Sequence, residues 1–164
     1  YKLKEDHTAA EGWRKDLDAM QDFYELCVRR QSCRKFRKDR PVEHDKLVRC
    51  VEAARLAPSG CNSQPWKFVI TEDPVMVEQV AKCSQQLELN GFTDTAAAFA
   101  VVLEEHAVLI PVVRKIFDSQ YFAKGDLGAA VMCITLAAEA QGLGTCILGV
   151  YDRERLCELL DIPI

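Results

Sequence analysis

No stretch of this chain is apolar for long enough to cross a bilayer. The longest uncharged run in its most hydrophobic region, Leu127 to Ala138, has 12 residues before Glu139 ends it, against the roughly 20 that a membrane helix needs. The first residues, Tyr1-Lys2-Leu3-Lys4-Glu5-Asp6, have neither an apolar core nor a small-residue cleavage site, which argues against a secretory signal and predicts a cytoplasmic protein. Only three histidines occur, His7, His44 and His106, and none stands at metal-ligand spacing. There is no Gly-x-Ser-x-Gly elbow, no Walker A lysine and no His-Glu-x-x-His, so the common nucleophile, nucleotide and zinc-hydrolase schemes find no support. None of the eight cysteines forms a Cys-x-x-Cys pair, which disfavours a zinc ribbon, a thioredoxin-type dithiol or a cluster-binding run. Internal repeats and low-complexity tracts are lacking too.

What remains is 164 residues, 49 % hydrophobic and 28 % charged, enough for one globular domain with a core of its own. Cys27, Cys50, Cys133 and Cys157 fall in apolar helical patterns and read as small core hydrophobes. So many free thiols fit a reducing compartment. The net charge of −4 is unevenly placed: residues 29–40 hold seven basic residues and one acid, a local +6, leaving −10 on the other 152. With only Phe36 interleaved, this island suits a small anion such as one phosphate better than a nucleic acid. A solvated charged loop is the competing reading. If residues 30–34 are extended, Arg30, Ser32 and Arg34 share one face and converge on one anion; in a helix Ser32 would turn away.

Helical spacing of Leu17, Met20, Phe23, Tyr24, Cys27 and Val28 predicts an amphipathic helix before this island, capped by Asp16 or Asp18. A second helix is expected from about Glu43 to Ala57, burying Leu47, Cys50, Val51 and Ala54. Strands are expected at Trp66–Thr71, Ala98–Leu103 and Thr145–Val150. Further helices are expected at about 75–87, 108–118 and Gly125 to Gln141, the last buried nearly all round and closed by Gly142. Asp152 should cap a final helix, Arg153 to Leu160. Helices separating about three strands predict a three-layer α/β or α+β domain. Residues 1–15, polar and unpatterned, read as an arm before a domain at 16–164.

Two further segments carry chemistry. Ala57-Pro58-Ser59-Gly60-Cys61-Asn62-Ser63-Gln64-Pro65-Trp66 joins helix to strand, and its amides could match the edge of a heteroaromatic ring, although an Asx-type turn is the simpler reading. Gly142-Leu143-Gly144-Thr145-Cys146-Ile147-Leu148-Gly149 follows a helix and opens a strand, the reverse of a dinucleotide fingerprint, but its backbone near Gly149 could closely approach a flat ligand. An anion holder, an amide-rich rim and a glycine floor, with no acid–base pair, suggest that a cofactor does the chemistry.

In this order the segments resemble the nitroreductase family of FMN-dependent oxidoreductases. The match runs from about Met20 to Ile164 and includes Arg-x-Ser-x-Arg-x-Phe at 30–36, Pro41-Val42, Ala-Pro-Ser-Gly-x-Asn-x-Gln-Pro-Trp at 57–66, Asp126 and Gly-Leu-Gly-Thr at 142–145. The resemblance implies an α+β, three-layer fold, with a central, mainly antiparallel sheet flanked by helices. It also implies an interlocked homodimer with FMN at the subunit interface. By position, Arg30, Gln31, Ser32 and Arg34 would hold the phosphate and ribityl chain. Pro58, Ser59 and Gly60 of the other subunit would cover the isoalloxazine, with Asn62 and Gln64 nearby, and Ile147, Leu148 and Gly149 would face it.

Family members take hydride from NADH or NADPH onto flavin N5 and pass it to a nitroaromatic, quinone or similar acceptor in a ping-pong cycle, with no catalytic side chain required. Alternatives on the same fold are reductive dehalogenation or flavin fragmentation, for which Glu104 to Phe122 is the one place for a lid, or a non-catalytic flavin-binding, redox-sensing module. The family usually continues beyond the position of Ile164, which implies a further C-terminal segment missing from these residues. Cysteines at 33, 61 and 146 fall inside the motifs; no paired base accompanies Cys61, which weighs against a redox role there.

Overall fold

The computed structural model describes residues 20–163. The chain is helical over residues 20–29 (α1), followed by α2 (His44–Arg55), β1 (Trp66–Thr71), α3 (Pro74–Cys83), β2 (Phe99–Glu104), α4 (Pro111–Arg114), α5 (Ala123–Ala140) and α6 (Arg153–Leu160). The two strands pair antiparallel, Trp66 opposite Glu104 and Thr71 opposite Phe99. Alternation along them sorts side chains to two faces. Trp66 and Phe68 pack with Ala54 and Ala57 of the α2 region and with Ala130, Cys133 and Ile134 of α5. Phe99 and Val101 pack on the other side with Val80 and Cys83 of α3 and Leu156 of α6. The result is a three-layer α+β sandwich with the sheet in the middle. Among the described residues no helix is long and apolar enough to cross a membrane.

Local chemistry sets several boundaries. The Asp73 carboxylate accepts from the amides of Val75 and Met76, and Pro74 occupies the first helical position, where its missing N–H costs nothing. The expected helix to residue 87 stops at Cys83 instead. The Cys83 carbonyl is taken by the Asp152 amide at 2.7 Å, and Leu87, Glu88 and Asn90 adopt positive φ. The expected helix at 108–118 contracts to Pro111–Arg114, and Gln120 folds this segment on itself by accepting from the Ala107 amide at 2.7 Å and donating to Glu104. Helix α5 ends in a Schellman motif: Gly142 sits at φ 75°, its amide donates to Glu139, and the Leu143 amide donates to Ala138. Asp152 caps α6 through the Arg155 amide at 3.1 Å.

Three expectations are corrected. The strand at Thr145–Val150 does not form among the described residues; the segment makes a single parallel bridge, Thr145 with Ser32, leaving a sheet of two strands. Helix α5 is not buried all round: only Ala123, Ala130, Thr135 and Ala138 are, while Met132 is 48 % exposed, because α2 and the sheet cover one side only. The apolar stripe of α1 is exposed as well, Met20 at 72 %, Tyr24 at 63 % and Val28 at 66 %, and Cys27 with it. Cys50 and Cys157 are buried and Cys133 half-buried. The cap at Asp16 or Asp18, and the arm at 1–15, lie outside the described residues.

Candidate functional site

The basic segment leaves α1 as extended chain. The Arg30 amide closes the last helical turn on Leu26 at 3.0 Å, and the Cys33 amide then donates to the Thr145 carbonyl at 2.8 Å beside the Ser32–Thr145 bridge. Alternation along an extended backbone would put Arg30, Ser32 and Arg34 on one face and Gln31 on the other. Gln31, Ser32 and Arg34 are exposed and Arg30 half-buried. Neighbouring Arg29 and Arg37 are held by Glu139 and Asp39, whereas Arg30 and Arg34 have no carboxylate partner among the described residues. Among the described residues, then, both guanidiniums are left without a carboxylate and the Ser32 hydroxyl makes no hydrogen bond.

The bridge lays this segment against the glycine-rich one. Gly144 is in close approach to Cys33: a Cβ on it would stand 3.0 Å from both the Cβ and Sγ of Cys33. Further along, Ile147 is 61 % exposed, Leu148 is half-buried, and a Cβ on Gly149 would meet nothing within 4 Å. Gly149 thus leaves an open stretch of backbone beyond the exposed Ile147.

The 57–66 connection is not a simple Asx turn. Ser59 Oγ accepts from the Gln64 amide at 3.0 Å, and the Gly60 amide donates to both carboxylate oxygens of Asp126 at 3.1 and 3.0 Å. Cys61, Asn62 and Gln64 all adopt positive φ, between 48° and 54°, a conformation costing non-glycine residues free energy that is commonly stored at functional sites. Pro58, Asn62 and Gln64 are exposed, and no hydrogen bond among the described residues uses the Asn62 or Gln64 side-chain amides. Asp126 and Phe122 hold this loop from the start of α5. No local pattern could have assigned that part, because Asp126 lies 66 positions from Gly60; the acid in the first turn of α5 was the available signal.

A cavity of about 800 Å³ lies between α2, α5, β2 and the 142–148 segment, with largely apolar walls that include Val51, Phe99, Val101 and Ile134. Of the predicted site residues only Ile147 and Leu148 line it. Burial pushes the Cys50 thiol on its wall up, partly offset by the Gln141 amide, and burial also pushes the Cys83 thiol up. The structure therefore brings Ser32 to Thr145, in the glycine-rich segment that continues to Ile147, Leu148 and Gly149. Pro58, Ser59, Gly60, Asn62 and Gln64 stand in a loop held by Asp126, and among the described residues no hydrogen bond joins this loop to the Ser32–Thr145 segments.

Comparison with known proteins decides the family. The Nitroreductase family model matches residues 27–164. The chain belongs to the nitroreductase family. An Archaeoglobus fulgidus protein assigned as an NADH dehydrogenase/NAD(P)H nitroreductase is 32 % identical over 148 residues, covering 88 % of this chain and 79 % of its own. The iodotyrosine deiodinase of Thermotoga neapolitana is 27 % identical over 154 residues, covering 88 % and 82 %. A solved structure of oxidised iodotyrosine deiodinase bound to FMN and 3-iodo-L-tyrosine superposes with a TM-score of 0.68 at 24 % identity, covering 86 % of this chain and 82 % of that one. This nitroreductase-family chain thus shares its fold with members named for different reductive reactions.

Proposed function

We propose that this chain is an FMN-dependent oxidoreductase that carries reducing equivalents from NADH or NADPH to a nitroaromatic, quinone or similar small acceptor. The observation that supports the reading is the Ser32–Thr145 bridge, which joins the segment carrying Arg30, Ser32 and Arg34 to the one that continues to Ile147–Gly149. The donor set fits the cofactor. Two guanidiniums without a carboxylate partner among the described residues and a hydroxyl suit a terminal phosphate, the Gln31 amide suits a polyol chain, and the backbone at Gly149, which has no Cβ, suits close approach to a flat ring. FMN would supply the hydride chemistry at N5, which is why no side-chain acid, base or nucleophile is needed.

The residues here bind, orient and exclude water. Arg30 and Arg34 neutralise the phosphate, Gly149 allows close backbone approach to the ring, and the exposed Ile147 shields its apolar edge. Pro58, Ser59, Gly60, Asn62 and Gln64 act on a second chain's cofactor, making the working unit a homodimer. Two findings support this: among the described residues no hydrogen bond joins their loop to the phosphate segment within one chain, and the apolar stripe Met20, Phe23, Tyr24 and Val28 is uncovered. On this reading residues 16–164 form one FMN-binding domain. Eight free thiols support a cytoplasmic setting.

The test is FMN titration of the apoprotein. Each of Arg30→Ala and Arg34→Ala removes a charge-assisted contact of about 1.5–3 kcal/mol, raising Kd roughly 10- to 150-fold, while Lys38→Ala stays near wild type. Equal effects at all three positions would refute the phosphate assignment, and a protein that never acquires FMN would refute the whole reading. Bleaching of the yellow holoprotein by anaerobic NADH or NADPH distinguishes an enzyme from a binding module. The relatives named as iodotyrosine deiodinases favour a second reading, reductive dehalogenation, distinguished by turnover of 3-iodotyrosine against a nitroaromatic.

A further inference from the structure

Two cysteines flank the point where the basic and glycine-rich segments bridge. The parallel bridge pairs Ser32 with Thr145, and one residue along each segment stand Cys33 and Cys146. In adjacent parallel backbones these two share a face, opposite to that of Ser32 and Thr145. Strand neighbours lie about 4.8 Å apart, inside the roughly 4.4–6.8 Å Cα span that a disulfide requires. The Cys33 amide is pinned to the Thr145 carbonyl at 2.8 Å, so the register holds at the cysteine itself. Both residues line the same cavity. The close approach of Cys33 to Gly144 shows that the thiol already leans over the glycine-rich segment. Neither thiol is committed elsewhere: Cys33 donates only to the Lys35 carbonyl at 3.4 Å and Cys146 only to that of Ile147 at 3.8 Å, contacts that rotation about χ1 releases at little cost.

We infer that Cys33 and Cys146 form a reversible dithiol–disulfide couple, a modification site that staples the Arg30–Arg34 segment to the segment at 145–149. The oxidant is a low-molecular-weight disulfide such as glutathione disulfide. One protein thiolate attacks it and expels a small thiolate, leaving a mixed disulfide. The second protein thiolate then attacks the protein sulfur of that mixed disulfide, forming the Cys33–Cys146 bond and expelling the second small thiolate. Two electrons and two protons pass from the protein dithiol to the small disulfide, which becomes two thiols. In a reducing compartment such a bond is transient, as redox-sensing disulfides are.

The test is a peptide map of the folded, full chain after equilibration with glutathione and glutathione disulfide, quenched in acid and alkylated. It reads the bond whether or not FMN is bound. The expected result is one linkage, between the Cys33 and Cys146 peptides, with free thiols falling from the eight of the reduced chain to six and restored by dithiothreitol. Cys33→Ser and Cys146→Ser should each abolish the internal bond and leave at most a mixed disulfide, whereas Cys27→Ser, on the exposed face of α1, leaves it intact. Retention of all thiols under a hundredfold excess of the oxidised form overturns the inference. So does a dominant bond between any other pair, or an internal bond that survives Cys33→Ser.

Discussion

Replacing Gly60 by alanine tests whether the strained loop is locked against α5. A Cβ at this position would stand 2.8 Å from Phe122 Cβ, 2.9 Å from its Cγ and 3.0 Å from its Cδ2. Ordinary carbon contacts fall at about 3.5–4.0 Å, so the nearest overlap approaches an ångström. Neither side yields easily. Gly60 is held by its amide to both oxygens of Asp126, at 3.1 and 3.0 Å, and Phe122 Cβ belongs to the residue that starts α5. Rotating the Phe122 ring is resisted by Tyr121, edge-on at 4.9 Å, and by Phe117 at 5.5 Å.

Overpacking of this kind costs about 1–3 kcal/mol. At roughly 2–4 °C per kcal/mol for a chain of this size, Tm should fall by about 2–12 °C in calorimetry. A Phe122→Ala background should restore only part of the loss, since the Cβ at 2.8 Å remains while the ring atoms go. A Gly60→Ala protein melting within a degree of wild type would refute the locked-loop argument.

Asp126→Ala leaves the Gly60 amide without its partner in a half-buried place, and should cost about 1–3 kcal/mol in urea unfolding while speeding hydrogen exchange at that amide. Unchanged exchange there would count against Asp126 as the anchor. Gly142→Ala meets no atoms within 4 Å, so its expected loss of about 1–2 kcal/mol is purely that of holding φ 75° with a Cβ, and Gly142→Asn should lose less. Lys82 beside Glu78 holds that carboxyl below its usual range. With the folded value below the unfolded one, the stabilisation is present above the ordinary carboxylate range of about 4.3 and lost as pH falls through the folded value. An NMR titration of Glu78 should move up toward the ordinary value in Lys82→Met, and an unmoved midpoint would contradict the pairing.

Residues that depend on local geometry were legible in the sequence. The strand Trp66–Thr71 follows from its own β-branched and aromatic run, the cap at Asp152 from the residues just after it, and the left-handed Gly142 from the end of an apolar helix. What was not legible depends on partners far along the chain. A six-residue apolar stretch at 145–150 becomes a strand only if a ladder is offered, and Thr145 finds one neighbour. The amphipathic pattern of α1 shows which face is apolar but not what covers it. The grip of Asp126 on Gly60 and the positive φ of Cys61, Asn62 and Gln64 leave no periodic trace at all.

The bridge between Ser32 and Thr145 joins positions more than a hundred residues apart. During synthesis at about 5–20 residues per second, the basic segment therefore waits on the order of ten seconds before its partner exists. Until then it stands on an unfinished scaffold without that partner, and closing so long a loop carries an entropic cost that local helices avoid. The candidate ligand site is thus among the last parts of the chain to take shape, and a truncation anywhere before Thr145 would remove it even where α1, α2 and the two-stranded sheet are complete.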